Sequence, residues 1–446
     1  MNNFIDRPRY VCALGGAVAT INALPRAIPI LHAAAGCGGN VSTAFNAPSG
    51  YLGSGYCGGM ALPSSNVFEH EIVFGGEERL AQQIEKTLEL IDGDLFVVIS
   101  GCMVEIIGDN VNSVAGMFRK RGLPVLAVET GGFRGNSYAG YELVLKTLFR
   151  DFVARSNVTH DRLINLWGIV PAQDVFWKGN LKMLKGLLER LGLRVNTFFG
   201  DGESLDQLKD ASSAVLNVVV STNYGIEAAK LFEEIHGVPF VSLPFPIGNQ
   251  ATKSLLRTVG SALNIEYAEI DRLMAREEKY YFDYLERVID IYNDMDLQRY
   301  ALVVGDVNYA PALTRFLSDD LGWLPELAVI TDILDDEQKM RIAAEFTDYQ
   351  SALAPSVIFD KDTSGVLKHL KNLWPDPGAP GYHDTFSPGF IIGSSFEKDL
   401  SEKLGLPLLA VSYPVTNRVV LDRSYAGFEG GLRLAEDILS ILVSGR

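Results

Sequence analysis

Leu95-Phe96-Val97-Val98-Ile99-Ser100-Gly101-Cys102-Met103-Val104-Glu105-Ile106-Ile107-Gly108-Asp109 opens with an uncharged apolar run that stops at Gly-Cys. A run of this length, bounded by glycine, reads as a strand buried on both faces, as in parallel sheets covered by helices. Upstream, Leu80, Ile84, Leu88 and Ile91 fall at helical spacing and Glu77 and Glu78 suit a first turn, which predicts a helix over 77–91. Downstream, the pattern predicts a helix over 109–120 and a second strand over 124–128, followed by Thr130-Gly131-Gly132-Phe133-Arg134-Gly135.

The same grammar recurs along the chain. Strands are predicted over 163–170, 195–199, 215–221 and 238–243, with helices over 180–191 and 225–236 between them. The stretch 251–287 reads as mostly helical. A third unit has strands over 300–306, 327–330, 357–359, 389–392 and 408–411, a helix over 310–317, and a closing helix over 427–443. Alternation of this kind predicts an α/β fold of three doubly wound, Rossmann-like parallel-sheet domains over 1–155, 156–295 and 296–446. Two stretches escape the pattern. The small and apolar residues of 10–31 read as a buried loop entering a helix or strand, and the Gly, Ser, Asn and Ala of 36–63 as a lid or lining.

Length and charge narrow the function. A chain of 446 residues accommodates about three domains, and its net charge of −16, with no cluster of Lys and Arg, argues against nucleic acid or an anionic membrane as partner. No apolar run is long enough to span a bilayer and the first ten residues carry no secretory signal, so a cytoplasmic location is expected.

The four cysteines, Cys12, Cys37, Cys57 and Cys102, form no CxxC pair, and their scatter alone is that of inert buried thiols. Their setting differs. Each lies beside glycines, which let backbone approach a bulky group, and thiolate is the ligand that iron–sulfur clusters use. Cys102 also stands at a strand's carboxyl end, where ligands sit in doubly wound sheets, and Cys12 and Cys37 precede core elements of the same unit. Cys57 reads as a free thiol or an extra neighbour of such a cluster. His32, five residues before Cys37, is placed either to hydrogen-bond near a cluster or to serve the core; the other five histidines show no metal spacing.

Other motifs fall away. Gly248-Asn249-Gln250-Ala251-Thr252-Lys253-Ser254 has Thr252 where a phosphate loop needs glycine before its lysine. Gly305-Asp306 lacks dinucleotide spacing and reads as a tight turn with a helix cap. No Ser, His and Asp set stands in a nucleophile elbow.

Taken in order, Cys12 in its apolar Gly-rich segment, His32 to Cys37, Phe74-Gly75-Gly76 before a helix, and Cys102-Met103-x-Glu105-x-Ile107-Gly108-Asp109 resemble the component 1 proteins of nitrogenase and nitrogenase-like reductases, specifically the β-type subunit. Pro244 to Gly248, Gly305-Asp306, Ile391 to Ser395, Tyr413-Pro414-Val415 and Tyr425 to Gly431 extend the resemblance over nearly the whole chain. The resemblance implies that Cys12, Cys37 and Cys102 hold a P-cluster-type iron–sulfur cluster, [8Fe-7S] or related, shared with a homologous α-type subunit in an α2β2 assembly. It implies an electron relay with no catalytic residue of its own, an active-site cofactor on the α-type partner, and an ATP-dependent iron–sulfur reductase that docks near Phe74. No cysteine follows Cys102, so the middle domain has no thiolate for such a cofactor. Gly132 stands where the nitrogenase β-subunit carries a Ser that can ligate the oxidised cluster. That departure brings the resemblance closer to a methylthio-alkane reductase, which cleaves carbon–sulfur bonds, than to a dinitrogen-reducing β-subunit, and the three retained cysteines favour either over a cofactor-assembly scaffold.

Overall fold

The computed structural model describes residues 5–51, 62–200, 202–347, 349–350, 353–373 and 389–444. Cys57 lies outside them. Three parallel sheets form, all with helical crossovers. The first holds β1 (Ala27–His32), β2 (Leu95–Ser100) and β3 (Val125–Val128) in that order. Next come β4 (His160–Trp167), β5 (Arg194–Asn196), β6 (Ala214–Val219) and β7 (Phe240–Ser242), arranged β5-β4-β6-β7. The last contains β8 (Tyr300–Gly305), β9 (Leu324–Ile330), β10 (Ser356–Phe359), β11 (Phe390–Gly393) and β12 (Leu408–Ala410), arranged β10-β9-β8-β11-β12.

The opening stretch is the central strand of its sheet. Every residue of β2 is buried, and the two-residue period of a strand splits them between two cores. Phe96 and Val98 join Ile30, Leu80, Ile84 and Phe118 on one face. Leu95, Val97 and Ile99 join the main core with Leu31 and Leu126 on the other. Registers Leu31↔Ile99 and His32↔Ser100 bring the carboxyl ends of β1 and β2 level.

The first unpatterned stretch folds as the helix Ala13–Ala23 running into β1. All but one of its residues are buried, so it shows no polar stripe and no helical period. It crosses the helix Ser137–Asp151, an addition to the expected elements that Asn136 caps and whose Tyr141, Val144, Leu145 and Leu148 fall at helical spacing, with backbones in contact. A Cβ on Gly16 would lie 1.9 Å from the Ser137 carbonyl oxygen, and one on Gly140 would lie 2.0 Å from that of Ala13. These glycines therefore serve helix packing rather than approach to a ligand. The start of the second stretch forms the helix Ala35–Phe45 instead of a lid.

Packing also crosses the chain boundaries between sheets. Buried Arg9 donates to Ser394 Oγ (2.6 Å) and Thr363 Oγ1 (2.7 Å) and pairs with Glu397, which fastens the N-terminal segment to the last sheet. The closing helix Gly427–Ser444 lies on the helix Gly248–Ala262, where a Cβ on Gly431 would come within 2.6 Å of Gly248 Cα.

Candidate functional site

The carboxyl edge of the first sheet gathers the segments that follow β1, β2 and β3. Cys102 begins the short helix Cys102–Ile107 directly after β2, and Gly101 donates its N–H to the His32 carbonyl at 2.9 Å. Cys37 lies in the first turn of the helix after β1. Cys12 caps the helix Ala13–Ala23 and bridges to Asn136, while Ala13 donates to the Gly135 carbonyl at 2.9 Å. Residues from four separate elements thus arrive on one edge.

Cys12 and Cys102 are exposed and Cys37 is half-buried. Burial pushes the Cys37 thiol up, and the charges of Cys12 and Cys102 push it further, which marks the three as electrostatic neighbours. Among the described residues, no three His, Cys, Asp or Glu side chains are arranged to hold a single metal ion. Three soft sulfur donors converging on an open edge suit an iron–sulfur cluster in the chemistry of their donor set.

Gly132 closes the edge. Its N–H donates to Cys102 Sγ at 3.0 Å, and a Cβ there would lie 3.1 Å from that sulfur and 3.5 Å from Cys12 Cβ. Glu105, whose side chain is 6% exposed, fixes the turn that carries it. Its Oε1 accepts from Ser100 Oγ and from the Gly131 N–H, both at 2.6 Å, and its Oε2 accepts from Arg134 Nε at 2.6 Å. Thr130 completes the bracket, donating its N–H to Ser100 Oγ (3.1 Å) and its hydroxyl to the Ser100 carbonyl (2.8 Å). Glu105 appears in the sequence only as one letter of a motif; the partners 26 and 29 positions away come from the fold.

His32 is fully buried and both ring nitrogens are occupied. Nδ1 meets Ser65 Oγ at 2.9 Å and Nε2 meets Asp109 Oδ2 at 3.1 Å. Burial lowers its pKa against the pull of Asp109, so a neutral ring donates from Nε2 to the carboxylate and accepts the Ser65 hydroxyl at Nδ1. Asp109 in turn accepts the Gly76 N–H at 2.9 and 3.1 Å. The ring therefore holds Phe74-Gly75-Gly76 in place and has no nitrogen left for a cluster. Phe74 ends the helix Glu69–Phe74 and is 76% exposed, with Val73 (70%), Ile106 (74%) and Phe133 (63%) also exposed on the segments that carry these motifs.

The switch points of the other two sheets are filled. Asn308, after β8, donates to the Gly168 carbonyl beyond β4 at 3.0 Å and accepts the Ser221 hydroxyl beyond β6 at 2.7 Å. Asp306 accepts the N–H groups of Asn308 and Tyr309 (2.9 and 3.0 Å), the cap expected there, and also the Ser412 hydroxyl (2.9 Å). Asp332 accepts the Tyr224 hydroxyl and the Val307 N–H, and Asp174 accepts the Tyr309 hydroxyl. Burial raises Asp174 to about 7 and Asp332 to about 8. At the rejected phosphate loop, the carboxylate of Asp320 already accepts the Asn249 N–H at 2.6 Å and would repel an anion.

Residues 12–443 match the family described as nitrogenase component 1 type oxidoreductase. The chain belongs to that family. Among its relatives, the nitrogenase molybdenum-iron protein beta chain of Azotobacter vinelandii is 24% identical over 98% of this chain and 84% of its own length. The alpha chain of the corresponding protein from Methanothermobacter marburgensis is 26% identical over 97% and 87%. The cofactor-biosynthesis protein NifE of Clostridium pasteurianum is 26% identical over 68% and 64%. The solved structure titled nitrogenase Cp1 at pH 6.5 superposes with a TM-score of 0.81 at 19% identity, covering all of this chain and 94% of that one. Family membership makes the chain one of an oxidoreductase superfamily, and its relatives include molybdenum-iron protein chains of both types and a cofactor-biosynthesis protein. No helix among the described residues is long and apolar enough to cross a membrane.

Proposed function

We propose that the chain is the β-type subunit of a nitrogenase-like reductase, acting in the cytoplasm as an electron relay. Cys12, Cys37 and Cys102 hold one side of an interfacial P-cluster-type iron–sulfur cluster, and a homologous α-type chain supplies the other side in an α2β2 complex. The observation that carries this reading is the convergence of three free thiols, two exposed and one half-buried, on one sheet edge. Such a cluster, when bound, accepts an electron and passes it on.

The residues of this chain do the rest. The three thiolates bind, the Glu105 bracket orients the turn facing Cys102, and the partner's surface excludes water from the open edge. Exposed Phe74 and its apolar neighbours give an ATP-dependent iron–sulfur reductase a surface to dock on. The absence of any cysteine beyond Cys102 and the side chains packed into both switch points favour an active-site cofactor carried by the α-type chain.

Gly132, in place of a ligating Ser, favours reductive carbon–sulfur cleavage of methylthio-alkanes as the reaction served. Iron and sulfide analysis with EPR of the co-purified complex tests the relay. An interfacial cluster of the [8Fe-7S] type or related, lost in Cys102→Ala, is expected; a complex holding only a [4Fe–4S] cluster would instead indicate an assembly scaffold. Release of ethylene or methane from methylthio compounds, measured beside dinitrogen reduction, tests the substrate.

A further inference from the structure

We infer that Glu105 is a positioning residue that sets the reduction potential of the relay by holding the Gly132 N–H against Cys102 Sγ; this rests on the relay reading above. Three observations meet in it. The Gly132 N–H donates to Cys102 Sγ at 3.0 Å, so this sulfur has a donor from its own chain. That N–H belongs to a turn with little freedom. Glu105 accepts from Gly131 and Arg134, and Ser100 ties both Glu105 and Thr130 to the end of β2, the strand that also presents Cys102. Sulfur and donor are therefore fixed to one rigid strand end.

Both glycines of the turn suit the same arrangement. A Cβ on Gly131 would press 3.0 Å from the Glu105 carboxyl and 2.9 Å from the Phe133 ring. One on Gly132 would press 3.1 Å from Cys102 Sγ. The second contact means that a side chain at 132 would crowd the sulfur, whereas glycine leaves it a backbone hydrogen bond.

A hydrogen bond to a cysteinate sulfur stabilises the more negative, reduced state of a cluster and raises its potential; hydrogen bonds to sulfur are one of the levers that spread cluster potentials. Releasing the turn weakens that bond without touching a ligand. The Gly132 N–H then finds water, and the reduced state loses its support.

The test is a redox titration, followed by EPR, of the co-purified complex carrying Glu105→Ala, Glu105→Gln or Ser100→Ala, beside the parent. The expected result is parental iron and sulfide content in all three, with the midpoint shifted to more negative potential in Glu105→Ala and less so in Ser100→Ala. Glu105→Gln, which keeps an acceptor for Gly131 and Ser100, returns towards the parent. Full iron content with an unmoved midpoint in Glu105→Ala and Ser100→Ala overturns the inference and leaves the relay standing. If Glu105→Ala does not assemble, Ser100→Ala alone decides by the same criterion. A parent complex whose iron and spectrum survive Cys102→Ala overturns the relay itself, and this inference with it.

Discussion

Replacing Gly140 by alanine pushes apart the two helices that position Cys12. The new Cβ would sit 2.0 Å from the Ala13 carbonyl oxygen and 2.8 Å from the Ala17 nitrogen. Since comfortable carbon–oxygen contact begins at roughly 3.4 Å, the helices must separate by about 1.4 Å along this direction. Overpacking a tight contact costs up to about 3 kcal/mol, and the gain in helix propensity from glycine to alanine offsets about 1 kcal/mol, leaving a net loss of about 2 kcal/mol. Gly116 provides the control, because it lies inside the helix Val111–Lys120 with nothing within 4 Å of its would-be Cβ. Gly116→Ala keeps the propensity gain without the clash and stabilises by roughly 0.5–1 kcal/mol. Urea unfolding of both variants measures the difference, and iron content reports whether Cys12 has left its neighbours. A Gly140→Ala chain within about 0.5 kcal/mol of the parent would refute the close-crossing account.

Three further outcomes follow from other parts of the molecule. Arg9→Met leaves Glu397 buried without its charge partner, both side chains being 3% exposed, and should cost about 3–5 kcal/mol in denaturant unfolding; a loss under about 1 kcal/mol contradicts the clasp. Asp332, raised to about 8 by burial, keeps a proton in the folded chain that the unfolded carboxyl releases near 3.9. Its contribution is thus full below about pH 4, falls by up to ~1.4 kcal/mol per pH unit as pH rises, and is lost above about 8. Asp332→Asn should therefore gain stability relative to the parent from pH 5 to pH 8, and a pH-independent difference between the two urea midpoints contradicts the assignment. Phe74→Ala removes a side chain with little burial to lose, so unfolding should move by under about 0.5 kcal/mol while docking of the reductase weakens by roughly 1–3 kcal/mol. An unchanged dissociation constant would dismiss Phe74 as a docking residue.

Much of this architecture is legible because strands buried on both faces and helices with one apolar face leave different periods in the sequence. Leu95 to Ser100 and Leu80, Ile84 and Leu88 are plain cases. The helix Ala13–Ala23 is illegible for the opposite reason: surrounded by protein and built of small residues, it has no polar face to set a period. The glycines beside Cys12 look like a ligand cradle, yet Gly16 is spent on the Ser137 backbone, a contact between elements more than a hundred residues apart. At the site, motif spacing identifies Cys12, Cys37 and Cys102 but not how they are held. The Glu105 bracket, and the occupation of both His32 nitrogens by Ser65 and Asp109, depend on strand register and on which turn lies beside which. The filled junction around Asp306 and Asp332 is invisible for the same reason, since its partners come from two different sheets.

The central claim is that three thiolates of this chain hold half of a shared cluster. Anomalous scattering at the iron edge, from crystals of the complex with its α-type partner, tests it most directly. The account predicts one iron-rich peak at the interface, bounded on this chain's side by Cys12, Cys37 and Cys102 with the Gly132 turn against it. Iron located away from these three sulfurs, or an interface without iron, would contradict it.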